Sequence, residues 1–381
     1  MNAKATESPG AALAAGTGNE PIYGLDALRF FAALLVTAWH MAFRFFDPEA
    51  GHITRYTAGF APGDPLLPGL SMFGWIGVQM FFVISGVVIS YSAMRGTPTR
   101  FFISRAARLY PVILISFLLI CLIDVLVWNM DPGWVMKEVV KGLLFVPTAV
   151  IAPQYWTIPV EVFFYALVWL LMASGKIRRI EALAMGLIAV AAVYWCLLLS
   201  GHLPSGSRWV RYFPLRHGMY FGIGIMAFAT ATSGASRARV LATLAGCALA
   251  AMEIRFAVGK YNLTHLFGGH SWLLAYAIWI ASLGCIVFSL RAKNRVTAAV
   301  ERLGIAGILR VAGLATYPVY LIHIHVGGLV ASMGLRAGCP AGLAVVLGAS
   351  VTIAVSVLIV KYLEPPIARG IKWVLTRALQ R

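Results

Sequence analysis

The chain has 381 residues, of which 60% are hydrophobic and only 12% charged, about half the charged share of a soluble globular domain, so an ordinary soluble protein is excluded. Its formal net charge is +17. In so apolar a chain that excess is read as Lys and Arg collected in cytoplasmic loops, and no nucleic-acid partner is expected. Five cysteines form no CxxC pair and four of them fall in apolar runs, so neither a metal site nor a disulfide framework is expected.

Residues 1–20, rich in Ala, Gly and Thr, read as a disordered cytoplasmic tail. Apolar runs of about 20 residues follow, each long enough to cross a bilayer as a helix. They predict ten spans, at 24–46, 70–94, 109–129, 156–174, 182–200, 213–231, 239–255, 272–290, 312–333 and 341–362. The first run has no clear cleavage site after it and is read as a retained span. The stretch 134–151 is apolar but broken by Lys137, Glu138, Lys141 and Pro147, which suits a re-entrant or interfacial helix. Residues 370–381 read as a basic cytoplasmic tail. The fold class is therefore an all-α polytopic membrane protein of about ten transmembrane helices in one domain over 21–369. With both termini inside, the inner segments hold 20 of the 31 Lys and Arg and the outer segments 10, which favours N-in and C-in.

Ionisable residues inside spans are costly and mark function. Arg29 and His40 stand eleven residues apart in the first span. At about 100° per residue they share a face, separated by about 16 Å along the axis. Arg105 and Arg108, one turn apart at the start of the third span, suit an anion bound jointly by their side chains and by free backbone N–H groups of a helix N-terminus. Pro111 beside them suits an early helical position or a kink. Glu161 lies near the start of the fourth span, at the depth expected of His40, where a carboxylate could fix the imidazole tautomer. In the ninth span His323 and His325 point about 200° apart, so they cannot share one metal, and one of them is expected to line a cavity. Pro318 should loosen the helix before them. The glycine-containing stretch Gly74–Gly86 reads as close helix packing with no chemistry of its own.

Taken in order, these segments resemble acyltransferase family three, the integral-membrane O-acyltransferases of bacterial surface glycans. LDALRFFAALLVTAWH is similar to the family's opening Arg-x10-His helix, here Arg29 to His40. QMFFVISGVVIS is similar to its Phe-Phe-x-x-Ser-Gly helix, RAARLYP to its Arg-x-x-Arg element, and YWTIPVEVFFY to its Trp…Glu helix. YPVYLIHIHV is similar to its late Tyr-x-x-Tyr-Leu-x-His segment and YLEPPIAR to its closing Glu-x-Pro stretch. Gln79 stands where the family often has an acidic residue, and Val160-Glu161 where it often has Glu-Glu, so only Glu161 is carried over. With no esterase-like domain in the sequence, the chain looks like the stand-alone branch that includes exopolysaccharide acetyltransferases.

The resemblance implies that residues 21–369 form an acyltransferase domain in the bacterial inner membrane. Acyl-CoA, foremost acetyl-CoA, would be the co-substrate, with no further cofactor. Arg105 and Arg108 would hold its phosphates and its pantetheine arm would pass Arg29. His40, aided by Glu161, would act as general base on a sugar hydroxyl at the outer side, by direct transfer or through an acyl-histidine. Trp156, Tyr317, Tyr320 and His323 would line the cavity. The acceptor would be a glycan or lipid-linked oligosaccharide, with membrane lipid and polysaccharide biosynthesis machinery as neighbours. The competing readings are a proton-coupled transporter and a non-catalytic component of a polysaccharide export complex.

Overall fold

The computed structural model describes residues 21–57, 60, 66–146, 151–203, 215–264 and 266–379, so the N-terminal tail lies outside the described residues. These residues form helices, turns and loops, with no strand among them. In chain order the helices are α1 (Tyr23–Ala38), α2 (Ile76–Arg95), α3 (Pro98–Leu126), α4 (Pro132–Leu143), α5 (Thr157–Ala173), α6 (Ile180–Leu199) and α7 (Gly218–Ser233). They continue as α8 (Arg237–Lys260), α9 (Ser271–Arg291), α10 (Lys293–Arg302), α11 (Ala306–Ile322), α12 (Gly328–Arg336), α13 (Ala341–Leu358) and α14 (Glu364–Leu379). Residues 370–379, expected as a loose tail, continue α14 and pack with it along α3.

Nine helical stretches among the described residues are long and apolar enough to cross a membrane. The sixth expected span is the exception in length. It is α7, 16 residues long, or about 24 Å. Arg239 grips Glu181 with two hydrogen bonds of 2.9 Å, Nε to Oε2 and Nη2 to Oε1, which ties the start of α8 to the start of α6. Two helices that begin at one level need α7 to bring the chain back between them. α7 can be short because its sides are enclosed by α2, α6 and α8 rather than by lipid.

α2 is the axis of the bundle. The best apolar window of its span is 83% buried, against 22% for α9 at the rim. Glycines bring its neighbours close. A β-carbon on Gly77 would run into the Ala32 carbonyl of α1, and one on Gly86 into the Phe221 carbonyl of α7. The predicted packing role of this stretch follows from those contacts.

The third span begins earlier than its apolar run. Thr97 Oγ1 accepts from Arg100 N at 3.3 Å and Pro98 takes the first helical position, so α3 starts at 98 rather than 109. Arg105 and Arg108 therefore sit inside a helix, and no free N–H groups are left beside them to bind an anion jointly. Pro111 is likewise interior rather than early. α4 starts on the Asp131 cap, where Trp134 N donates to Oδ1 at 2.8 Å. At 12 residues it is about 18 Å long, too short to span, as expected of an interfacial helix. Residues 147–150 of that predicted stretch lie outside the described residues.

Among the described residues, three helices pass into five-residue π turns, at Trp39–Phe43, His323–Gly327 and Ile359–Leu363. The loosening expected after Pro318 takes this form. Two of the three turns begin on or next to an intramembrane histidine, and π turns recur at functional sites.

Candidate active site

Two cavities meet in the middle of the bundle. The first has about 730 Å³ of empty space and is lined by Arg29 of α1, Arg105 and Arg108 of α3, Glu161 of α5 and Tyr317 of α11. Its remaining wall includes Phe81, Phe82 and Leu109. Arg105 Nη2 donates to Ser92 Oγ and Ser104 Oγ at 3.4 Å, and its guanidinium lies over the Phe101 ring, 5.6 Å from the centroid. Glu161 Oε1 accepts from Tyr165 Oη at 2.5 Å and from Ser85 Oγ at 3.0 Å. A single carboxylate thus faces three guanidiniums, and the cavity is set up for an anion.

The second cavity, about 760 Å³, is lined by Trp39, Trp75, Trp156 and Tyr261 and by polar groups of α2, α8 and the segments before α5 and α7. Glu253 of α8 is its electrostatic centre. Oε1 accepts from Arg216 Nη2 at 3.3 Å, while Oε2 accepts from Tyr220 Oη at 2.8 Å and Gln79 Nε2 at 3.3 Å. Four buried polar atoms on its lining residues have no hydrogen-bond partner among the described residues: Gln79 Oε1, Gln154 Oε1, Trp75 Nε1 and Arg216 Nε. Buried groups left unpaired are costly, so this cluster points to a ligand rich in donors and acceptors. Val78 and Tyr320 line both cavities and mark where they join.

His40 lies on the wall of the second cavity, and its neighbours fix its tautomer. His323 Nδ1 lies 2.8 Å from the Tyr320 carbonyl, which can only accept, so this nitrogen carries the proton. Nε2 of the neutral His323 is then an acceptor, 3.0 Å from His40 Nδ1. His40 Nδ1 also lies 3.0 Å from the Val36 carbonyl. Facing two acceptors, Nδ1 of His40 must carry its proton. Its Nε2 is left with the lone pair, without a hydrogen bond among the described residues and not sealed from the cavity. That is the state a general base requires.

Sequence reasoning placed several of these residues and misassigned the pairing of two. Arg29, Arg105 and Arg108 share one cavity, as expected of a common ligand. Trp156, Tyr317 and Tyr320 do line cavities. Glu161, expected beside His40, instead faces the arginines. The chain enters α5 through a turn at Pro153–Trp156, so by residue 161 it has descended about 7 Å below Trp156 and past the level of the second cavity. No hydrogen bond joins Glu161 to His40 among the described residues, and the imidazole is oriented by His323. His323, expected on the cavity wall, is fully buried behind His40. His325 is also buried and lies 3.7 Å from Asp124 Oδ2, outside both cavities.

Comparison with known proteins agrees with this arrangement. The acyltransferase domain of family 3 matches residues 22–361, nearly the whole chain. The chain belongs to acyltransferase family 3. It is also similar to the acyltransferase MdmB of Streptomyces mycarofaciens, 28% identical over 205 residues, half of each chain. It thus spans about half the length of that curated relative. No solved structure matches it.

Within this family 3 chain, the group that sequence reasoning missed is Glu253 with Arg216, His217 and Gln154. The signal was present, since Glu253 is an acidic residue inside a predicted span, the same feature that singled out Glu161. It also accounts for Gln79. Where the family often has a carboxylate on α2, here the carboxylate comes from α8 across the cavity and Gln79 donates to it.

Proposed function

We propose that this protein transfers a short acyl group, foremost acetyl, from acyl-CoA to a hydroxyl of a sugar in a surface glycan or its lipid-linked precursor. The observation that carries the reading is that an arginine-lined cavity and an aromatic, polar cavity meet beside a histidine whose only unprotonated nitrogen is Nε2. The three guanidiniums suit the phosphates of CoA, and the cytoplasm supplies that donor. The Trp and Tyr faces suit the C–H faces of a sugar ring, and the unpaired polar atoms around Glu253 suit its hydroxyls.

The reaction follows from the geometry. The sugar hydroxyl gives its proton to His40 Nε2 as its oxygen attacks the thioester carbonyl. The carbon–sulfur bond breaks, the acyl group stays on oxygen, and the departing CoA sulfur takes the proton back from His40. His323 holds His40 in the required tautomer. Glu161 offsets the charge of the three guanidiniums. Because both substrates reach one junction, direct transfer needs no covalent stop on the protein. The setting is the bacterial inner membrane.

The test uses membranes from the native cell, which carry the acceptor, and purified protein in nanodiscs. Label from [14C]acetyl-CoA should appear on glycan in the membranes, and acetyl-CoA should bind the purified protein. Absence of both with well-folded protein would remove the acyl-CoA assignment and favour a carrier.

A further inference from the structure

The junction between the cavities has two fixed walls. Tyr320 is held at its hydroxyl, which donates to the Gln154 carbonyl at 2.9 Å and accepts from Thr157 Oγ1 at 3.1 Å. Its ring is braced edge-on by Phe81, with centroids 5.7 Å apart. The opposite wall, Val78, belongs to α2. That helix is pinned on one side by Gly74 and Gly77 against the carbonyls of Leu35 and Ala32. On another side Gly86 and Gly224 hold it against α7. A β-carbon at any of these four positions would collide with backbone, so α2 has no slack with which to retreat.

We propose that Val78, facing the immobile Tyr320, sets the upper length of the acyl group this protein accepts. The inference rests on the acyl-CoA reading and deepens it. For the hydroxyl beside His40 to reach the thioester carbon, that carbon must stand at the junction, because His40 lines only the second cavity and the arginines only the first. The pantetheine arm then fills the first cavity along Phe81, Phe82 and Leu109. Acyl carbons beyond the carbonyl have nowhere to go but between Val78 and Tyr320, or into the volume the sugar occupies. A two- or three-carbon acyl group fits past a valine. A longer chain meets its methyl groups or displaces the acceptor. A pocket of this kind discriminates by about tenfold or more per methylene.

Binding in nanodiscs tests this without the acceptor, using free CoA and the carba(dethia) analogues of acetyl-, butyryl- and hexanoyl-CoA, which cannot be hydrolysed. Wild type should lose about tenfold or more in affinity from the acetyl to the hexanoyl analogue. Val78→Ala should restore at least fivefold of the hexanoyl affinity, Val78→Leu should weaken the butyryl analogue by about tenfold, and free CoA should bind all three proteins alike. An unchanged length profile in Val78→Ala with free CoA still bound overturns the proposal, as does tighter hexanoyl binding in wild type. If Val78→Leu loses free CoA altogether, its fold is damaged and Val78→Ala alone decides. Failure of wild type to bind any CoA compound overturns the donor assignment itself, a result distinct from an unmoved profile.

Discussion

The two cavities on either side of Tyr320 are assembled in different ways. The first takes its charged groups from motifs that read as units along the chain: Arg29 in one, Arg105 and Arg108 in another, Glu161 in a third. The second collects single residues, among them Gln79 on α2, Gln154 before α5, Arg216 before α7 and Glu253 on α8. Only folding brings these together. The difference matches the two ligands proposed. A donor common to many enzymes can be met by a compact motif. An acceptor particular to one glycan calls for single side chains that change independently, and loops and helix ends tolerate such change.

Changes on the two sides should therefore fail differently. The largest effect is expected at the junction. His40→Ala should cut acyl transfer about a thousandfold or more while acetyl-CoA affinity stays within twofold, read by turnover and equilibrium binding on the same samples. Next comes its orienting partner. His323→Leu should lower kcat about a hundredfold with little change in KM. His323→Gln should recover much of that loss, since its amide can donate to the Tyr320 carbonyl and its oxygen can accept from His40 Nδ1. Nitrogen-15 chemical shifts of His40 should report the Nδ1–H tautomer in wild type and in the Gln variant. Equal losses in the two variants would show that His323 only fills space.

On the donor side, the double change Arg105→Ala and Arg108→Ala should raise KM for acetyl-CoA about thirtyfold with a smaller change in kcat, because each charge-assisted contact to a phosphate contributes about 1.5–3 kcal/mol before solvent screening. Glu161→Gln keeps an acceptor for Tyr165 and Ser85 and removes one charge. It should change kcat less than tenfold and leave the pH profile of kcat in place. A hundredfold loss would restore Glu161 as a partner of the base. The smallest effect lies far from both cavities. Thr97→Ala should destabilise by about 1 kcal/mol through the lost cap of α3, measured by thermal unfolding, with turnover unaffected.

The helical, many-span architecture was legible because bilayer thickness imposes a length on every apolar run. Helix starts were less so. The third span was placed from its apolar residues, whereas α3 starts at Thr97-Pro98, a cap and first-turn pair that is also readable in sequence. Hydropathy reports where lipid begins, and a helix can begin well before that. Arg29, Arg105, Arg108 and His40 stood out because a charge or imidazole within a span has few bland explanations. The pairing of His40 with His323 was hidden by two π turns, each of which shifts the phase of its helix and so defeats a face calculated at 100° per residue. Glu161 was misplaced for a simpler reason. Depth was judged from the order of residues in the span, and one helical turn separates the level of Trp156 from the level of the arginines.

A π turn is an α-helix carrying one residue more than its hydrogen bonding can hold. At Trp39–Phe43 that surplus residue divides α1 from its continuation, so the residues before His40 and those after it keep separate rotational settings within one rod. Removing a single residue such as Ala42 would merge the two settings and swing everything beyond it by about 100°. The catalytic address is thus written in chain length as much as in residue type: a sequence with every named side chain intact and one fewer letter between His40 and Arg44 would aim a different face at the bundle.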